Sequence, residues 1–376
     1  MTVLPTNLYD IEIYDHDFNL HTLLPLWNRL EYTQRISAPW NHFVEIRLGS
    51  DHPILETIRS IQKDYIFRIY RYDPFSAVKS LVYSGFHNTS VDQIDSNGIV
   101  IFSLYGNGYT TLLNRRLVLP TVGAAHNSRS GPAETVAKGF VEDCFITSAA
   151  ERQIDGLSIA PDLARGDTVE YNARYVQLHS VIETVCEGGG LDFGIDEGDE
   201  LGEFVFDARP LWGLDRTVDN TDGNIPVLFS LGAGNMRIPI LSTNASDEKN
   251  YVYIGGQGQE EDREIVEVFD AAAIAGSPYG RKELFADARQ EATADGLEAQ
   301  GYAKLEERKT QVTLTFDVQQ TVLSRWLVNW NLGDLVTVNY HSVTVDKQIQ
   351  KITVTVTAGE GGTQNPEIID VELIDA

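Results

Sequence analysis

The chain has 376 residues, 42% of them apolar and 22% charged, which suits two to four domains at roughly 100–200 residues each and excludes a single small module. Its 29 basic and 55 acidic residues give a formal charge of -26, which argues against a protein that grips nucleic acid through its phosphates, since that needs basic patches. No Gly/Ser or Gln/Asn tract signals long disorder, and no window approaches the ~18 consecutive apolar residues of a membrane span.

The opening MTVLPTNLYDIEIYDHDF has neither a basic n-region nor an apolar h-region, so no signal peptide is expected. From Leu8 to Pro120 the text reads as short aromatic and β-branched strands: LYDIEIYD, FVEIRLG, YIFRIYRYD, AVKSLVYSGF and GIVIFSLYG. Asp, Gly, Asn and Pro turns separate them, which predicts a sheet curled on itself. Between the first two, HTLLPLWNRLEYTQRI predicts a short helix broken at Pro25.

The character changes after SRSGP. Pro132 suits a helix start, and Val136, Phe140 and Cys144 recur at four-residue spacing. A second helix is expected over ARYVQLHSVIETVCEGGG, with Tyr175, Leu178, Ile182 and Val185 on one face and Gly188 as its stop. The two cysteines, Cys144 and Cys186, lie on these apolar faces as buried free thiols. LDFGIDEGDELGEFVFDA predicts a hairpin. VLFSLGAGNMRIPIL and NYVYIGGQGQ continue the strands, and after SPYG a long helical stretch is expected from Arg281, interrupted at Gly296 and Gly301. Within it a helix over Arg281 to Asp295 would bury Leu284, Phe285 and Ala288, with Arg289 paired to an acid.

Strands resume at TQVTLTFDV and run to the end. Val336, Val338 and Tyr340 alternate with Leu335, Thr337 and Asn339, and Ile352, Val354 and Val356 repeat the pattern. Lys347, Ile349 and Lys351 sit in the opposite phase, which predicts a bulge or a change of partner strand. A Gly/Asn/Pro cluster from Gly359 to Pro366 then turns the chain into Ile369, Val371 and Leu373.

Motifs for chemistry fail on inspection. GAGNM places Arg237 and Pro239 where a phosphate loop needs glycine and a helix start, and GGQGQE fails likewise. In an EF-hand frame around Gly223, Val218 and Phe229 would fall on ligand positions. The acid pairs Asp192 with Asp196 and Glu200 with Glu203 resemble glycosidase dyads only by number, in a chain with 55 acids. There is no Gly-x-Ser-x-Gly elbow and no His-Glu-x-x-His, and His16, His21 and His179 read as packing or surface residues. No enzyme activity, cofactor or metal is expected.

The run from Asn250 to Tyr340 resembles the siphovirus tail-hub family, the ReqiPepy-type gene-product-37-like tail proteins. The resemblance rests on Asn250, Tyr253, Gly256, Arg263, Tyr279, Gly280, Arg281, Glu283, Asp287, Ala288, Arg289, Leu332, Gly333 and Asp334 in that order. GNGYTTLLNRRLVLP and GFVEDCF extend it over the earlier chain. The resemblance implies an α+β, mainly-β fold similar to contractile-phage hubs, with two tube-protein-like antiparallel β-barrel domains joined by helical α+β insertions. The expected boundaries are 1–120 for the first barrel, 121–203 with 263–309 for the connecting domain, and 204–262 with 310–376 for the second barrel.

Its implied role is that of a structural baseplate hub in the virion tail tip, a homotrimer whose six barrels match a sixfold tube. The implied partners are the distal tail protein ring, the tape-measure protein and tail-tip or receptor-binding proteins, with genome DNA passing without specific binding and no membrane insertion. The alternative is a glycan-binding or glycan-degrading tail protein that stacks sugars on strands such as WNHFVEIRL. The hub of a non-viral injection device would share the fold. The 20 Arg against 9 Lys would suit a high-salt habitat, while ordinary solubility also explains the acidity.

Overall fold

The computed structural model describes residues 8–258, 262–289, 291, 293–341, 343–359 and 363–375. The first third folds as antiparallel strands: β1 (Tyr9–Tyr14), β2 (Leu20–Leu23), β3 (Arg29–Arg35), β4 (Asn41–Gly49), β5 (Ile66–Tyr72), β6 (Lys79–Ile94) and β7 (Ile99–Gly108), with one helical turn, α1 (Leu55–Arg59), before β5. Their order in the sheet is β3-β4-β7-β6-β5-β1-β2. Alternation sets which side faces inward, and in β1 the residues Tyr9, Ile11 and Ile13 are all buried. The helix expected around Pro25 is absent. Residues 29–35 instead alternate, sending Leu30 and Tyr32 into the core, and pairing with β4 on one side outweighs the chance helical spacing of the leucines.

A helical layer follows. After a 3-10 turn at Tyr109–Arg115 come β8 (Leu117–Val118), β9 (Asn127–Pro132), α2 (Ala133–Phe145), β10 (Leu157–Ile159), β11 (Thr168–Ala173), β12 (Val176–Gln177), α3 (Leu178–Gly188), β13 (Asp192–Glu197) and β14 (Phe204–Arg209). Val136, Phe140 and Cys144 share the buried face of α2, as their spacing predicts, and β13 with β14 forms the expected hairpin. Both thiols are free and buried. Tyr175 is not on α3: it precedes the helix, exposed, with φ 54°. The helix closes where Gly189 donates its N–H to the Val185 and Cys186 carbonyls, and Gly190 then takes φ 66°.

The last region contributes β15 (Asp215–Arg216), β16 (Leu228–Ser230) and β17 (Met236–Asn244). A small unit comes next, β18 (Tyr251–Gly255), β19 (Ile265–Phe269), α4 (Ala271–Gly276), β20 (Glu283–Asp287) and α5 (Ala294–Glu307). The chain ends on β21 (Gln311–Val318), β22 (Leu335–Tyr340), β23 (Val343–Thr357) and β24 (Ile368–Ile374). Among the described residues strand outweighs helix, 45% to 17%, so the fold is α+β and mainly β.

β23 carries the predicted phase slip. Val343–Gln348 pairs with β22, Lys351–Thr357 pairs with β3, and the ladder to β24 shifts register between Ile349 and Lys351. Both the bulge and the change of partner therefore occur in one strand. Of the turn expected after it, residues 360–362 lie outside the described residues. Because β3 and β23 pair, the two halves do not form separate closed barrels among the described residues. They share one 14-stranded sheet, with the hydrogen-bonded path β17-β21-β24-β23-β3-β4-β7-β6-β5-β1-β2 open at β2 and β17.

Three apolar cores result. The largest joins Tyr32, Phe67 and Phe102 of the first half to Phe316, Trp330 and Val354 of the second. A separate core lies under α2 and α3, and a small one holds Val252, Ile254, Val268, Ala288, Leu297 and Leu305. Among the described residues no helix is long and apolar enough to cross a membrane.

Candidate functional site

Eleven of the fourteen motif residues, from Asn250 to Arg289, converge on the small unit. Its sheet runs β19-β18-β20, with β20 parallel to β18. The expected helix over Arg281 to Asp295 is therefore overturned: Glu283–Asp287 is a strand, the helix begins at Ala294, and residues 290 and 292 lie outside the described residues. Leu284 and Ala286 face the small core while Phe285 is 53% exposed. Pairing to β18 selects period two over the helical spacing that Leu284, Phe285 and Ala288 also satisfy. Ala288 does reach the core.

Asn250 fixes this parallel pairing. It is buried, its Oδ1 accepts the Lys282 N–H at 2.6 Å, and its Nδ2 donates to the Gly280 carbonyl at 3.3 Å. Gly280 turns the chain there with φ 74°, where a side chain would be strained. At the other end of the strands Arg263 donates to the Gly255 carbonyl at 2.8 Å, the Gly256 carbonyl at 3.2 Å and Asp287 Oδ1 at 2.6 Å. Asp287 in turn pairs with Arg289 at 3.0 Å. A Cβ on Gly256 would lie 2.6 Å from Leu297 Cδ1, so the bare glycine lets α5 lie against the sheet.

The aromatic members pack on the outer side. The Arg281 guanidinium sits 3.9 Å from the Tyr251 ring centroid, and Tyr251 stacks on Phe269 at 5.3 Å and lies 5.1 Å from Tyr253. Glu283 meets Arg281 only at 4.0 Å with both exposed, a contact of little energy. Tyr279 is almost fully exposed.

Gly333 and Asp334 lie elsewhere, at the start of β22. Asp334 is buried and accepts from the Leu214 N–H at 2.8 Å, the Asn331 N–H at 2.8 Å and Arg216 Nε at 2.9 Å. Burial pushes its carboxyl upward despite these donors. Gly333, with φ 85°, lets this turn press on Gly213, whose N would lie 2.7 Å from an added Cβ. The Leu-Gly-Asp turn thus staples the Trp212–Leu214 crossing to the sheet.

Two polar centres lacked a sequence signal strong enough to find. Glu134, fully buried at the start of α2, pairs with Lys138 at 2.5 Å and Arg165 at 2.8 Å, and both cations also reach Asp207. Burial raises the Glu134 carboxyl, but the Arg165 and Lys138 donors outweigh it and hold it down at about 2. The i,i+4 spacing of Glu134 and Lys138 was legible, whereas Arg165 arrives from a distant loop. Glu291, also buried, accepts from Asn172 Nδ2 at 3.2 Å and ties the small unit to β11.

The acid pairs singled out as dyads serve local structure. Asp192 accepts the Trp212 N–H at 3.0 Å and Gln348 Nε2 at 2.7 Å, and Glu203 accepts the Glu200 N–H at 3.2 Å. Asp196 lines a cleft of about 480 Å³ with Glu197, Trp40, Tyr109, Arg209 and Trp212. His16 and His21 both pack edge-on against the Tyr65 ring and bond to the Lys63 carbonyl and the Ser60 hydroxyl, while His179 lies apart against the Phe193 ring. Among the described residues no group of three or more His, Cys, Asp or Glu is placed to hold a metal.

The family model described as Siphovirus ReqiPepy6 Gp37-like protein matches residues 10–368. The chain belongs to this siphovirus Gp37-like family. Among curated proteins none matches the sequence. The Gp37-like fold is similar to the 43 kDa tail protein of prophage MuSo2 from Shewanella oneidensis, with TM-score 0.61 and 11% identity over 97% of this chain and 98% of that one. The tail protein of Neisseria meningitidis MC58 follows at TM-score 0.57 and 12% identity, over 98% and 96% of the two chains. A chain of the Francisella PdpA-VgrG complex shares the fold at TM-score 0.54 and 12% identity, over 98% of this chain and 52% of that one. At these identities the likeness is one of architecture.

Proposed function

We propose that this Gp37-like chain is a structural baseplate hub of a long-tailed virus, a homotrimer that continues the tail tube at its tip. One observation carries the reading. In a fold shared end to end with phage tail proteins, the large sheet stays open at β2 and β17, and both edges present apolar side chains: Leu20 and Leu23 on one, Ile238, Ile240 and Leu241 on the other, all at least 49% exposed. Pro239, which lacks an N–H, sits in β17, as an edge strand permits. Exposed edges and apolar patches are what a ring of copies covers.

The motif residues support a scaffold rather than chemistry, because Asn250, Arg263 and Asp334 commit polar atoms to this chain's own backbone. In this reading the hub meets the distal tail ring above, the tape-measure protein inside, and tip or receptor-binding proteins below. Its location is the virion tail. A trimer would carry -78, three times the charge of one chain, and acids facing a lumen would let genome DNA slide past without adhesion. Imaging of the assembled tail is expected to show three copies around the axis; one or two copies would sink the proposal. Incubation with cell-wall and surface polysaccharides is expected to give no turnover, and turnover would favour the glycan-degrading alternative.

A further inference from the structure

At the seam between the two halves lies a cavity of about 300 Å³, lined by Arg71 of β5, Asp73, Ser76 and Ser80 of the β5–β6 region, and Arg325 and Trp326 of the segment before β22. Arg71 is 1% exposed and Trp326 fully buried. Each of three lining residues keeps a buried donor with no hydrogen-bond partner among the described residues: Arg71 Nη1, Arg325 Nε and the Trp326 indole N–H. Buried donors are ordinarily satisfied, so three around one cavity call for an acceptor.

The neighbouring acids cannot supply it. Glu367 already accepts from Arg71 Nε at 2.9 Å, from Gln320 Nε2 at 2.8 Å and from the Tyr9 hydroxyl. Asp73 already accepts from the Phe75 N–H at 3.0 Å, the Ser76 hydroxyl at 2.6 Å and Arg325 Nη1 at 3.0 Å. Two guanidinium groups and two carboxylates cancel in charge, yet the donors left over all point to one kind of guest. A water would bring two donors of its own, for which the Ser76 and Ser80 hydroxyls are the side-chain acceptors not yet used, whereas a carboxylate or small oxyanion brings acceptors alone to match the three spare donors. Guanidinium and indole N–H groups also give charge-assisted bonds to such a guest.

We propose that this cavity is a binding site for one small oxyanion, a group of carboxylate to phosphate size, which locks the first half of the chain to the second. The guest is either a free inorganic ion or a carboxylate, and the test separates them. The full chain is melted at constant ionic strength with sulfate, phosphate or acetate replacing chloride. A saturable rise in Tm of several degrees is expected, since a ligand that binds only the folded state stabilises it by mass action. A rise with sulfate or phosphate alone identifies an inorganic oxyanion, and one with acetate identifies a carboxylate.

Two variants locate the effect. Trp326→Phe keeps a ring and removes the N–H, and Arg325→Gln alters a side chain at the cavity mouth that is 23% exposed. Each is expected to weaken binding at least tenfold by calorimetry, and Arg325→Gln carries the test should Trp326→Phe not fold. The proposal is overturned if chloride raises Tm as much as the oxyanions do. It is equally overturned if a folded variant binds as the native chain does, because the ion is then an adventitious ion only.

Discussion

The large sheet and the small unit that hangs from it are held together by different means. The sheet's core draws buried side chains from β1 through β24, among them Tyr32, Phe67, Phe102, Trp326 and Trp330. Six buried residues fill the core between β18 and α5. Apolar burial stabilises by roughly 25 cal/mol per Å², so the first region can rest on area alone and the second cannot. The small unit compensates with placed polar atoms: Asn250 at one end of the strands, Arg263 with Asp287 at the other, and Glu291 reaching to Asn172. Eleven of the fourteen motif positions sit where apolar area is scarce, so the motif marks the part of the fold most dependent on named side chains.

The contrast can be broken at four points, in descending order of effect. Phe102→Ala should empty a fully packed site in the large core and cost about 3–5 kcal/mol, lowering a single global transition in calorimetry. A local effect confined to β7 would show that the sheet is not one cooperative body.

Acid should act next, through the helical layer. The Glu134 carboxyl is held at about 2 in the folded chain against 4.5 ordinarily. A depressed carboxylate pKa gives stability that is present above about pH 4.5 and lost as pH falls from there toward 2. Glu134→Gln should flatten that limb of a Tm-against-pH curve, and an unchanged limb would mean the triad does not govern it.

Asn250→Ala should cost about 1–3 kcal/mol, the penalty for leaving the Lys282 N–H unpaired. Hydrogen exchange is expected to accelerate in residues 251–287 while β4 and β7 stay protected. Equal acceleration in the large sheet would erase the distinction drawn between the regions. The smallest effect is expected of Phe285→Ala, below about 1 kcal/mol, since the ring is half exposed. A loss of about 3 kcal/mol or more would return Phe285 to the core role that its helical spacing suggested.

Much of the β architecture was legible because alternation and burial coincide. LYDIEIYD was read as a strand and is one, with Tyr9, Ile11 and Ile13 buried, and the slipped phase around Ile349 marked the place where β23 exchanges partners. The strand at Glu283–Asp287 was not legible as such, because ELFADA satisfies periods of two and of three to four at once. Only the nonlocal parallel pairing with β18 decides between them. Likewise the fusion of the halves depends on β3 meeting β23 across some 320 residues, a distance over which no sequence window reads. For the motif residues the order in the chain was visible, but the convergence of eleven of them on one small unit was not.

The shared strand has a mechanical meaning. Seven consecutive pairs, Lys351–Thr357 against Arg29–Arg35, join the beginning of the chain to its end. A load applied to one half therefore crosses to the other through a continuous backbone ladder, with no linker to stretch and no pivot to bend at that crossing. Such a body passes on a push or a twist as a rigid strut does, and any yielding is left to the thinly packed unit beyond β17.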